Sequence, residues 1–166
     1  MLSLFKEESS GLIEDLLAIL NEIEGEPDQH QRLEEFGQKV DRIMGSAKTL
    51  FSTLSNSTVQ SIGAYAELCK ILGYQGSQIE NNEELYSIVV AFLIDATETL
   101  KTMTQSLGTA SEKSAKEWLS STFLDRLKWI SSKFGTQTRK TIAGGTADGT
   151  TQDEILKVLK SLGSVT

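Results

Sequence analysis

The sequence predicts an all-helical protein, and three observations lead there. Apolar residues recur at alternating spacings of three and four along most of the chain, the stripe of an amphipathic helix rather than the alternation of a strand. One proline in 166 residues leaves long helices uninterrupted. Gly, Asn and Ser fall where the stripes lapse, where stops and caps belong. The expected architecture is an antiparallel four-helix bundle plus a fifth helix, a flexible linker and a short C-terminal amphipathic segment. The expected divisions are residues 1–134, 135–151 and 152–166.

The first helix is expected from about Leu2 to Ile23, with Leu12, Ile13, Leu16, Leu17, Leu20 and Ile23 as its stripe. Gly25 is its stop, and Pro27 follows. Gly11 costs roughly 1 kcal/mol against Ala inside a helix, so the first turns are expected to bend or fray. Pro27 and Asp28 open the second helix, which carries the stretch Leu33–Leu54. There Leu33, Phe36, Val40, Ile43, Ala47, Leu50 and Leu54 fall in one arc at roughly 100° per residue. Glu34, Gln38, Asp41 and Gly45 then form one column about 180° away. A helix docked by its stripe presents that column to a partner.

Ser57 or Thr58 is the expected cap of a third helix holding Val59, Ile62, Ala66, Cys69 and Leu72 and ending near Gly73 or Gly76. Asn81 and Asn82, with Glu84, prepare a fourth, striped by Leu85, Ile88, Val89, Phe92, Ala96, Met103 and Leu107 and stopped by Gly108. Thr109–Phe134 reads as one fifth helix, with Leu119, Phe123, Leu127, Ile130 and Phe134 on one face. Trp118 and Trp129 flank that face and either complete the core, the favoured reading, or form a partly exposed apolar surface. From Gly135 to Thr151 the chain is Gly- and Thr-rich with few apolar residues, the composition of a flexible linker. TQDEILKVLKSLG then restores a short amphipathic pattern. Thr151 is a candidate N-cap and Glu154 its capping-box partner, and Ile155, Leu156, Leu159 and Leu162 line one side.

Composition narrows the function. A net charge of −7 argues against a nucleic-acid binder, which needs clustered Lys and Arg. One Cys excludes an internal disulfide framework and fits a reducing compartment. The opening MLSLFKEESS is too short and acidic for a signal peptide, and no apolar run reaches the ~18–20 residues of a membrane span. A cytoplasmic location is expected. No His, Cys and Asp set has zinc spacing, so no metal and no cofactor of its own is expected. His30 is the single histidine and reads as a polar residue at the start of the key helix. Gly144-Gly145 and Gly149 lack the G-K-[ST] that a phosphate-binding loop requires.

VDRIMGSAKTL resembles the central motif of histidine-containing phosphotransfer (HPt) domains, roughly H-x-L-K-G-x-A. Ile43, Gly45, Ser46 and Ala47 match. Asp41 stands in place of the phosphorylated histidine, and Met44 in place of the lysine. The resemblance implies an HPt-like bundle over roughly the first hundred residues, without the family's phosphotransfer chemistry. Asp41 is not expected to replace the nucleophile, because receiver aspartates are phosphorylated in an acidic pocket with bound Mg²⁺ and the sequence shows no such cluster.

The C-terminal segment resembles the receiver-binding peptides of the CheZ family of chemotaxis phosphatases and of the flagellar switch protein FliM, roughly S-Q-D-E-[IV]-x-x-L-L-x-S-L-G. Gln152, Asp153, Glu154, Ile155, Leu159, Ser161, Leu162 and Gly163 fit; Lys157, Lys160 and the ending Ser164-Val165-Thr166 depart from it. CheZ phosphatases use an acid and a glutamine four residues apart, and Glu34 and Gln38 have that spacing and order. The resemblance implies a CheY-like receiver as partner, with a histidine kinase as a further candidate. Gln38 and Glu34 would be catalytic, Asp41, Gly45, Asp153, Ile155, Leu159 and Leu162 partner-binding, and Mg²⁺ would sit on the receiver. The expected function is dephosphorylation of the receiver; the alternative is a non-enzymatic pseudo-HPt adaptor that sequesters or localises it.

Overall fold

The computed structural model describes residues 1–135 and 151–161. Among the described residues there are helices and turns and no strand. The helices are α1 (Leu2–Ile23), α2 (Arg32–Leu54), α3 (Ser57–Gly76), α4 (Glu83–Ser106), α5 (Ala115–Trp118), α6 (Ser121–Gly135) and α7 (Thr151–Ser161), with a 3-10 turn at Pro27–Gln29 before α2.

The first four helices close a ring in which α1 packs on α2 and α4, and α3 packs on the same two. Ion pairs across the seams give the directions. Asp15 and Glu22 of α1 meet Lys39 and Arg32 of α2, and Asp41 and Lys48 of α2 meet Lys70 and Glu67 of α3, so each pair runs antiparallel. Glu14 pairs with Lys101, and Lys6 donates to the Leu107 carbonyl at 2.8 Å, which sets α1 antiparallel to α4 and occupies a helix-end carbonyl.

Local chemistry fixes the boundaries. Ser55 takes a left-handed φ of 53° at the end of α2, and Asn56 accepts from the Val59 N–H at 2.9 Å, so two residues reverse the chain. The cap of α3 is therefore Asn56, not the expected Ser57 or Thr58. Asn82 caps α4 by accepting from the Leu85 N–H at 3.1 Å. Gly11 is absorbed without a break, since α1 runs from Leu2 to Ile23.

The expected single fifth helix is instead two. Gly108 turns the chain at φ +78°, and Glu112 accepts from the Gly108 N–H at 2.8 Å and from Asn56 Nδ2 at 3.1 Å, so residues 108–114 form a turn. Glu117 accepts from the Ser114 N–H at 2.7 Å, and Ser120 Oγ accepts from the Phe123 N–H at 3.1 Å. Two capping serines six residues apart start two helices.

α5, α6 and α7 make a second layer on the ring. Tyr65 of α3 donates to the Trp118 carbonyl at 2.8 Å. The Phe123 ring of α6 sits between Tyr65 of α3 and Phe92 of α4, with centroids 4.8 and 5.0 Å away. Trp118 is buried as expected; Trp129 is 45% exposed with Lys133 over its ring, so only one of the two tryptophans completes the core. α7 lies on α3 and α6. The expected linker at 135–151 falls almost wholly on 136–150, outside the described residues.

Candidate functional site

The exposed face of α2 follows from its buried one. Leu33, Phe36, Val40, Ile43 and Ala47 are fully buried, while Leu54, in the last turn, is 39% exposed. Glu34, Gln38 and Gly45 accordingly reach the surface, and Asp41 is only partly exposed. Glu34 and Gln38 stand one turn apart, and neither side chain makes a hydrogen bond or ion pair with another described residue. Asp41 is held by Lys70 of α3 at 2.8 Å.

α3 brings a second residue to this place. A Cβ on Gly37 would lie 3.1 Å from Tyr74 Cζ, so the Tyr74 ring rests on the α2 backbone beside Gln38. A side chain at this position would push the ring back by a few tenths of an ångström. The Tyr74 hydroxyl is held above its ordinary pKa by burial first, while Lys70 pulls it down and Asp41 and Glu34 push it up. Glu34, Asp41, Lys70 and Tyr74 therefore share one electrostatic neighbourhood around Gln38. Lys70 and Tyr74 are absent from the sequence-based site. Their only signal is a polar pair at i, i+4, on a helix that also carries Gln60, Glu67 and Gln75.

Gly45 has no atom within 4 Å of where a Cβ would lie. It opens onto a shallow groove of about 590 Å³ between α1 and α2, lined by Met1, Leu4, Phe5, Leu50 and Thr53, with Glu8 and Arg42. Met1 and Leu4 are 70% and 60% exposed, the largest apolar exposures on this side. The column thus has an acid and an amide at one end and an apolar groove at the other.

The C-terminal candidates lie elsewhere. Ile155 and Leu159 are buried together with Val158 (2%, 1% and 4% exposed) where α7 meets α3 and α6. Asp153 is exposed, and Leu162 is outside the described residues. Lys157 and Val158 form one wall of a cleft of about 290 Å³ whose other walls are Ala47, Lys48 and Phe51 of α2 and Val59, Gly63, Ala64 and Glu67 of α3.

His30 Nδ1 lies 2.7 Å from the Ser77 carbonyl oxygen, which can only accept, so Nδ1 carries the proton and ties the entry of α2 to the end of α3. Cys69 is enclosed in the core, and burial pushes its thiol up to about 12, far from a reactive thiolate. Among the described residues no group of three or more His, Cys, Asp or Glu could hold a metal ion, and no helix is long and apolar enough to cross a membrane. Comparison with family models, curated proteins and solved structures finds no match to this chain.

Proposed function

We propose that this chain is an HPt-like bundle without a phosphohistidine that binds a CheY-like receiver in the cytoplasm and promotes loss of its aspartyl phosphate. The observation that carries the reading is the Glu34–Gln38 pair, exposed and unpartnered on a helix whose opposite side is locked into the core. A receiver brings its own metal ion and lysine to the acyl phosphate, so hydrolysis lacks only a placed water. The Gln38 amide has one donor side and one acceptor side, enough to hold that water in line with phosphorus. Water oxygen bonds to phosphorus, the bond to the aspartyl oxygen breaks, the carboxylate leaves as an anion, and the water's protons stay on the released phosphate. Glu34 pairs with the receiver's lysine and sets the orientation. The groove by Gly45 supplies apolar contact, and α7 supplies a second one through Ile155, Leu159 and Leu162.

Dephosphorylation of a labelled CheY-like receiver tests this. Gln38→Ala is expected to remove most of the acceleration, tenfold or more, and to leave receiver binding within about twofold, because the amide acts on the transition state and Ala preserves the helix. Glu34→Ala lowers rate and binding together. A wild-type chain that binds the receiver without accelerating its dephosphorylation sinks the phosphatase reading and leaves the pseudo-HPt adaptor, which the same face and groove also support. In that reading a histidine kinase is the other partner to try.

A further inference from the structure

The apolar edge of α7 is already occupied within the chain. Ile155, Val158 and Leu159 are buried where α7 lies on α3 and α6. All three stand at apolar positions of the receiver-binding pattern, so the edge turned inward is an edge that the pattern specifies. An eleven-residue helix is marginal alone, and docking is what holds α7 in shape. We propose that the α3/α6 surface is an interaction surface whose occupant is α7, and that a receiver competes with it for the same three-residue edge. This rests on the receiver-binding reading given above. One edge cannot be covered twice, so a receiver engages α7 only in the undocked fraction, and its apparent affinity for the tail is lowered by that fraction.

Ala64 of α3 separates the two states. It is buried and lines the same cleft as Val158, and it lies on the bundle side, so changing it leaves the tail that the receiver would read untouched. Ala64→Gln keeps a good helix former and puts a polar amide into the cis contact. Receiver binding is measured by titration with a CheY-like domain carrying beryllofluoride. The full chain, with and without the substitution, and the free 151–166 peptide are titrated. Amide exchange across 155–159 reports docking. The expected results are faster exchange in Ala64→Gln and receiver binding about tenfold tighter than wild type in the full chain. A full chain whose affinity is unchanged or weakened by Ala64→Gln, although its exchange rises and the peptide binds, overturns the competition alone. A peptide that binds no receiver overturns the competition and the tail's role together, and leaves Gln38 to be judged by its own assay. Exchange equally fast in wild type and variant overturns the docking on which the inference stands.

Discussion

α2 and α3 are neighbours of nearly equal length and opposite character. α2 buries seven of its 23 residues and α3 fourteen of its 20. The difference is positional. α2 has α1 and α3 beside it and solvent beyond, whereas α3 is met by α2, α4, α5 and α7. The sequences answer that difference. α2 sets Glu34, Glu35, Gln38 and Lys39 among its apolar residues, and α3 has Gly63, Ala64, Ala66, Gly73 and Gly76, which let neighbours close in. A helix enclosed on every side can serve as a scaffold but offers little to a partner. A helix with one free face can do both, and the two residues α3 does lend to the site, Lys70 and Tyr74, lie on the edge it shares with α2.

Two glycines break this comparison most sharply. A Cβ on Gly73 of α3 would lie 2.9 Å from the Phe36 ring and 3.3 Å from the Leu33 carbonyl oxygen, a buried ring and a backbone atom with no room to yield. A Cβ on Gly45 of α2 meets nothing within 4 Å. Both residues are helical, so Ala brings each about 1 kcal/mol of helix propensity. Gly73→Ala is expected to lose a net 1–2 kcal/mol, roughly, as overpacking outweighs that gain. Gly45→Ala is expected to gain up to about 1 kcal/mol. Urea unfolding of the pair reads the difference; equal shifts of the same sign would mean that α3 is no more tightly enclosed than α2.

The contrast was half legible in the sequence. The α2 stripe at spacings of three and four is strong, and its column of Glu34, Gln38 and Gly45 emerges at the surface because the stripe is buried. Asp41 stands in the column too, but its salt bridge is tertiary and only the fold brings Lys70 within reach. The break between α5 and α6 was written in Ser114-x-x-Glu117 and in Ser120, and the apolar period running on through Leu119 and Phe123 hid it. Leu54 belongs to the stripe by angle, yet at the end of α2, next to the left-handed Ser55, it has run past most of what would cover it. Docking of α7 had no sequence signal at all, because an amphipathic segment looks the same whether its groove is its own or a partner's. Enclosure of α3 was hidden for a related reason. Its small residues carry no apolar period, since they face neighbours in several directions.

The enclosure of α3 begins at a carboxylate, which makes it sensitive to acid. Glu112 accepts from the Gly108 N–H and from Asn56 Nδ2, joining the turn after α4 to the cap of α3. The Gly108 N–H chiefly, with Asn56 and Thr58, holds this carboxyl below its ordinary value of 4.5. A lowered folded-state pKa gives stability that is present above the unfolded value and is lost as pH falls through the folded one. Glu112→Gln is expected to cost about 1 kcal/mol at neutral pH, since a charged acceptor becomes a neutral one. The gap from wild type should hold steady above 4.5 and close below it. A gap that is unchanged in acid would mean that the turn is held by shape and not by the charge on Glu112.

The smallest effect is expected where the two helices share a charge. Asp41 and Lys70 approach to 2.8 Å, but their side chains remain 45% and 23% exposed. Water and counter-ions screen such a pair, and ordering two side chains offsets part of the attraction. A double-mutant cycle with Asp41→Asn and Lys70→Met, read by urea unfolding, is expected to give a coupling of about 0.2–1 kcal/mol that fades in ~1 M salt. The same Asp41→Asn change releases Lys70 and removes an acid from the face carrying Gln38. Under the receiver reading, association with an acidic receiver pocket should then speed up at low salt, and the gain should vanish at high salt. A coupling above about 2 kcal/mol that survives salt would place this edge among desolvated contacts. α2 would then be held to α3 by a buried charge pair as well as by its stripe, and its outer face would be less open to a partner than the exposure of Glu34 and Gln38 implies.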